Sequence, residues 1–174
     1  MSALPSITVD NVIVAIGNFI RPLVPAEVEI ARGWTNRVAP PKDPFILLTE
    51  VGQYDLSTTR NNYFNDGQSD ISEFQRSTRI DIQCDFFGDQ SGEMARTIKT
   101  LFRSLYAPEQ FPDNIKPLYC TDAMSSPLIT GEEQYRSRWT ITISLQYNPK
   151  VTIEYDQFDN VGETSIIAAD LIPD

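Results

Sequence analysis

The chain has 174 residues, 24 of them acidic and 14 basic, with no histidine and a formal net charge of −10. At 41% hydrophobic and 22% charged it is globular in composition rather than disordered. The acidic balance excludes a protein whose main work is neutralising phosphates, the absent imidazole removes the commonest general base and metal ligand, and no apolar run is long enough to cross a membrane as a helix.

This length fits a single domain over 1–174, with a loose N-terminal end at 1–6 and an acidic tail at 161–174. The first residues lack the basic, apolar and cleavage regions of a signal peptide. Cys84 and Cys120 are the only cysteines. Cys84 falls on the apolar side of an alternating segment, so it is expected as a small buried hydrophobe in a reducing cytoplasm.

In chain order, Val9, Val12, Ile13, Ile16, Ile20 and Leu23 recur at helical spacing over 7–23. Thr8 suits the N-cap and Asp10 the positive end. Pro22 should distort the last turn and Pro25 close the segment. Gly17 is costly in mid-helix and suggests that another element approaches closely there. Residues 27–37 suit a short strand, and the prolines at 40, 41 and 44 an extended connector. Residues 45–51 are apolar enough for a central strand, and 54–64 continue as strand or ordered loop.

Asn65-Asp66-Gly67-Gln68 is a hairpin signal, because Asp-Gly supplies the positive φ angles of a tight turn. Its arms, 56–64 and 71–87, should pair antiparallel. Few large apolar residues line their outer halves, so the hairpin is expected to project, and a two-stranded arm is marginal alone.

The segment 79–106 is the most regular. Ile80, Ile82, Cys84 and Phe86 alternate with Arg79, Asp81, Gln83 and Asp85, which predicts a strand with one buried face. After Gly88, Met94, Ile98, Leu101, Phe102 and Leu105 recur at helical spacing. Asp89 or Ser91 suits the N-cap and Pro108 the end. Residues 107–133 read as a long irregular connection with a short strand at 116–121. Trp139, Ile141, Ile143, Leu145 and Tyr147 then alternate with Arg138, Thr140, Thr142, Ser144 and Gln146. At Asn148-Pro149 the chain either turns back or bends, before Val151, Ile153 and Tyr155 alternate again.

Candidate chemistry is sparse. Asp81 and Asp85 share a strand face, but four residues along a strand is roughly 13 Å, too far to share one ion. Gly88-Asp89-Gln90-Ser91-Gly92 stands where phosphate loops occur, yet no Gly-Lys-Ser/Thr follows and Asp89 and Glu93 would repel phosphate. Arg136, Arg138, Tyr135 and Trp139 mix bases with aromatics, but Arg138 and Trp139 lie on opposite strand faces and form no stacking platform. Arg60, Arg76 and Arg79 fall on the hairpin of an otherwise acidic chain. They read as a solvated face or as partners of an acidic neighbour.

The run Arg79-Ile80-Asp81-Ile82-Gln83-Cys84-Asp85-Phe86-Phe87-Gly88, followed by a helix with Ile98-Lys99-Thr100-Leu101-Phe102-Arg103, resembles the neck and tail-terminator proteins of tailed bacteriophages. Upstream, Gly33-Trp34-Thr35-Asn36-Arg37-Val38-Ala39-Pro40-Pro41 and Pro44-Phe45-Ile46-Leu47-Leu48 are similar to the early segment of that family. The resemblance covers 7–158. It implies a structural protein of the virion neck, made in the host cytoplasm, that forms a ring of six subunits. It implies as partners further copies of the chain, the tail-tube protein and a head-side connector or stopper, with DNA only passing through the lumen.

The expected fold is α+β: a mixed or antiparallel sheet with two main helices on one face and a projecting β-hairpin. Leu101 and Phe102 should cover Ile80, Ile82, Cys84 and Phe86. The subunit interface is expected at Arg60, Asp66, Gly67, Arg76, Arg79, Asp81 and Asp85, with no catalytic residue, metal, cofactor or membrane contact. The alternatives are a tail-tube or head-completion subunit and a small carboxylate-dependent enzyme.

Overall fold

The computed structural model describes residues 4–34, 41–65, 69–129 and 135–156. Its centre is a six-stranded sheet built on two long alternating strands, β5 (Thr78–Phe87) and β10 (Arg138–Tyr147). These pair antiparallel along their whole lengths, Ile82 opposite Ile143 and Cys84 opposite Ile141. β2 (Phe45–Asp55) pairs antiparallel with the other side of β5, and β1 (Glu29–Arg32) adds parallel to β2. β6 (Ile115–Cys120) and β7 (Met124–Ser125) share the far side of β10. A separate two-stranded ribbon joins β8 (Leu128–Ile129) to β9 (Tyr135–Arg136). The class is α+β with a mixed, mostly antiparallel sheet, as the alternation and the helical runs predict.

Helices α1 (Val9–Ile20) and α2 (Ser91–Phe102) bury the apolar side of this sheet. Thr8 caps α1 through a reciprocal box: its hydroxyl accepts from Asn11 N–H, and Asn11 Oδ1 accepts from Thr8 N–H at 2.8 Å. Pro22 sits in one turn of 3₁₀ helix, Arg21–Leu23, that ends the element. Phe19 stacks on Phe111 at 5.3 Å and meets the edge of Phe102 at 5.7 Å. Phe102 is buried, while Leu101 is only partly so. Thus Phe102 is the main cover from that pair, and Leu101 a lesser one.

Several local expectations are corrected. Nothing lies within 4 Å of where a Cβ on Gly17 would stand, so no element approaches there. In α2 a close approach does occur at Gly92, where a Cβ would come 3.0 Å from the Trp139 ring and force a small shift between α2 and β10. Neither Asp89 nor Ser91 caps α2. Its N-cap is Gln90, with no side-chain cap bond, and Ser91 Oγ instead pairs with Ser137 Oγ at 2.9 Å. α2 also ends at Phe102, before Pro108 acts, and Leu105 is 87% exposed. Pro108 lies in the first turn of a third helix, α3 (Tyr106–Gln110), where its missing N–H breaks no helical bond. The connection after it is more ordered than expected, because β6 and β7 complete the β10 ladder.

The largest correction concerns the hairpin. β3 (Arg60–Asn65) and β4 (Ser69–Gln75) pair antiparallel as expected. But β11 (Lys150–Asp156) pairs along the other side of β4, with Lys150 opposite Gln75 and Val151 opposite Phe74. The chain therefore bends at Asn148-Pro149 and runs on. The arm has three strands, and its order, β11-β4-β3, repeats the body order, β10-β5-β2. Each body strand passes through one short break and becomes an arm strand. Pro149, which has no N–H to give a ladder, falls at that break, opposite Arg76-Ser77. No residue of β3, β4 or β11 belongs to the hydrophobic core or packs against it among the described residues.

Candidate assembly surface

The expected interface residues separate into two places. Arg79, Asp81 and Asp85 stand on the open, polar side of β5. Arg60 and Arg76 stand at the base of the arm. Asp66 and Gly67 lie outside the described residues, as does the tail at 161–174.

The open side of the body sheet is paired with itself. Asp85 Oδ1 accepts from Arg138 Nη2 at 2.9 Å, Arg138 Nε at 3.1 Å and Thr140 Oγ1 at 2.6 Å. Its other oxygen accepts from Gln83 Nε2 at 2.9 Å. The Asp85 side chain is 7% exposed and the Arg138 side chain 21%. A carboxylate so enclosed needs these donors, since an unpaired buried charge is costly. Two rows along, Asp81 accepts from Ser144 Oγ at 2.7 Å and from Arg79 Nη2 at 3.3 Å. Arg79 Nε lies 3.2 Å from Asp81 Oδ1 without hydrogen-bonding geometry. The guanidinium of Arg79 lies 4.3 Å over the Tyr54 ring. At the far end Arg136 pairs with Asp43 and lies over Phe45 and Phe87, which stack at 4.4 Å. Sequence reading missed Arg138 as the partner of Asp85 because the two are 53 residues apart; a shared polar face on neighbouring alternating strands was the signal that could have found it.

Arg76 closes the break between body and arm. Its Nη1 donates to Asp55 Oδ2 at 2.6 Å, and its Nε and Nη2 donate to Thr59 Oγ1 at 3.0 and 2.7 Å. Leu56 N–H to Ser77 O, at 2.9 Å, closes the same gap through the backbone. On the other edge, Ser6 N–H donates to Lys150 O at 2.8 Å, and Lys150 N–H to Ser6 Oγ at 3.0 Å. Arg60 opens β3 opposite Gln75, is exposed, and has no ion-pair partner among the described residues.

Beyond the break the two faces of the arm differ. Register puts Asn61, Phe74 and Val151 in one row and Tyr63, Ser72 and Ile153 in the row two residues on. Neither row carries a charge, and the next row on that face joins Asn65, Asp70 and Tyr155. The opposite face carries Arg60, Glu73, Lys150 and Glu154, with Lys150 Nζ 3.2 Å from Glu73 Oε2. Tyr63 is 74% exposed, Phe64 55% and Ile153 36%. Water therefore touches apolar side chains that nothing else in the described chain covers.

The remaining chemistry is quiet. Burial holds the Cys84 thiol well above its ordinary range and pushes Cys120 up to about 11, so both stay protonated and unreactive near neutrality. Among the described residues no group of three or more Cys, Asp or Glu side chains is placed to hold a metal ion. The acidic loop after β5 is a plain turn in which Gly88 takes φ +106°, a conformation that disfavours any side chain.

A family model described as phage neck terminator protein matches residues 10–169, which takes in the body and the arm alike. A search of curated proteins finds no match.

Proposed function

We propose, on the footing that the chain belongs to the phage neck terminator family and is therefore a structural protein of the virion neck, that it closes the tail tube as a ring and joins the tube to the head. One observation supports this above the rest. Three body strands run past their covering helices into an arm that leaves Tyr63, Phe64 and Ile153 to water. Fixing a residue costs roughly 1–2 kcal/mol of backbone entropy, and an arm without a core does little to offset that alone. A neighbouring subunit offsets it by covering the arm. A closed ring needs head-to-tail contacts between two different surfaces, and the arm is one of them.

In this reading six copies make the ring, a number that comes from the family resemblance. Its partners are the tail-tube protein on one side and a head-side connector or stopper on the other. It assembles in the host cytoplasm. DNA passes through a lumen made unattractive to phosphate by the chain's net charge of −10. Arg60, Asp66 and Gly67 meet the neighbour as parts of the arm, and Arg76 sets the angle at which the arm leaves. Arg79, Asp81 and Asp85 contribute a flat polar face whose charges are already matched. The chain is assigned no catalytic role.

Negative-stain electron microscopy of the purified chain, alone and mixed with its tail-tube protein, tests the reading. Closed rings of one size, alone or on tube ends, are expected. Long polymers of the chain itself would make it a tube subunit. A chain that stays monomeric even beside tubes would overturn the terminator reading.

A further inference from the structure

If the arm is one surface of a head-to-tail contact, the other must be elsewhere on the same chain and must match it chemically. Two rows of the arm's open face carry no charge, with the exposed amide of Asn61 and phenol of Tyr63 beside Phe74, Val151 and Ile153, and Asp70 enters only in the next row, opposite Asn65 and Tyr155. The other exposed surfaces fit it poorly. On the body sheet the open side is a set of matched ion pairs. The outer side of α2 carries Glu93, Arg96 and Lys99. Exposed Trp34 stands beside Arg32 and Glu50.

One groove differs from these. It is about 580 Å³ and runs between the outer side of α1 and the turn from α3 into β6. None of its 11 lining residues is charged, in a chain with 38 charged residues (24 acidic plus 14 basic). Asn11, Val14 and Asn18 form one exposed stripe of α1, Gln110 and Asn114 face them, and buried Phe111 and Ile115 form part of the floor. Asn18, Gln110 and Asn114 make no side-chain hydrogen bond to another described residue. Asn11 spends its Oδ1 on the Thr8 cap, at 2.8 and 2.9 Å, which leaves its NH₂ to donate. Val14 is 58% exposed.

We infer that this amide-lined groove receives the arm of the next copy of the chain. The inference rests on the ring reading and adds its second surface. Amides along the groove find the phenol and amide edges of Tyr63 and Asn61, and Val14 finds Phe74, Val151 or Ile153. Uncharged rows of the arm and an uncharged groove lining also meet without the like-charge repulsion that two acidic copies otherwise bring.

Two single variants and their mixture test the assignment. Val14→Glu spoils the groove and Tyr63→Glu spoils the arm, each at an exposed position. Asn18→Glu serves as a second groove variant, and circular dichroism with an unchanged melting midpoint establishes that each has folded. Masses are read by light scattering under conditions in which the wild-type chain forms its ring, with tube protein added if the ring requires it. Each variant alone is expected to be monomeric. Mixed in equal amounts, the intact arm of Val14→Glu meets the intact groove of Tyr63→Glu, and the mass should double and stop there. If both groove variants still form the wild-type ring while Tyr63→Glu does not, the groove is not the receptor and the arm reading survives. If Tyr63→Glu also keeps the ring, the arm reading fails with it. If all three variants are monomeric but no mixture dimerises, the pairing of groove with arm is wrong. A wild-type chain that stays monomeric beside tubes overturns both readings.

Discussion

The body and the arm are made from the same three strand paths, yet they are held in opposite ways. In the body, β2, β5 and β10 press Ile46, Leu48, Ile80, Ile82, Cys84, Phe86, Ile141, Ile143 and Leu145 against α1 and α2, each of them at most 1% exposed. In the arm, β3, β4 and β11 keep the same order but lose the helices. Hydrogen bonds along a ladder contribute only about 1 kcal/mol each, net of water, whereas burying a large side chain contributes about 1.5–3 kcal/mol. The body is therefore a fold and the arm an extension of its backbone pattern without a cover among the described residues. The difference shows where stability resides in this chain, and on the ring reading proposed above it marks where assembly would occur.

That contrast is broken most forcefully from the body side. Phe102→Ala removes a ring that contacts Phe19 and Phe111 across the core. It should cost about 3–5 kcal/mol, read as a lower urea midpoint with an unchanged slope. An unchanged midpoint would mean that α2 does not hold the core.

Alkali should loosen the body next. Burial raises the Cys84 thiol, and it raises Cys120 from 9.0 to about 11. Below pH 9 both thiols are neutral in the folded and unfolded chain and their contribution is intact. As pH rises through 9 the unfolded thiols ionise while the folded ones resist, so stability falls, by about 2–3 kcal/mol for Cys120 alone by pH 11. Cys120→Ala should flatten the slope of stability against pH above 9, and an unchanged slope would mean that burial of this thiol is not the cause.

The effect at the junction is smaller. Arg76→Ala removes an exposed ion pair to Asp55 and two bonds to Thr59. The body should lose less than about 1 kcal/mol, while amides of β3 and β4 exchange faster. Equal protection of the arm in the variant and the wild type would show that the backbone bonds alone fix the break.

Legibility followed the same division. The alternations around Ile82 and Ile143 were readable because one face of each strand is buried and the other is not, and the helices were readable from their apolar spacing. The family resemblance lay in the strand around Ile82, the helix after it, and the upstream run from Gly33 to Leu48. Proline hid the third arm strand: Asn148-Pro149 carries the local signature of a strand end, and only pairing with Gln75 and Phe74, more than seventy residues away, shows that the strand continues. Leu105 misled because it keeps helical spacing after the helix has stopped at Phe102. The partners of Asp85 and the amide groove were invisible for a related reason, since each joins residues whose closeness only the tertiary fold creates.

On the proposed reading the arm serves assembly and not the fold. Deleting residues 62–71 and closing the gap with a short turn removes the distal arm and leaves β5, β10, α1 and α2 intact. Light scattering on the deleted chain, under conditions in which the intact chain forms its ring, should give a folded monomer whose melting midpoint stays near that of the intact monomer. A deleted chain that still reaches the full oligomeric mass would contradict the account.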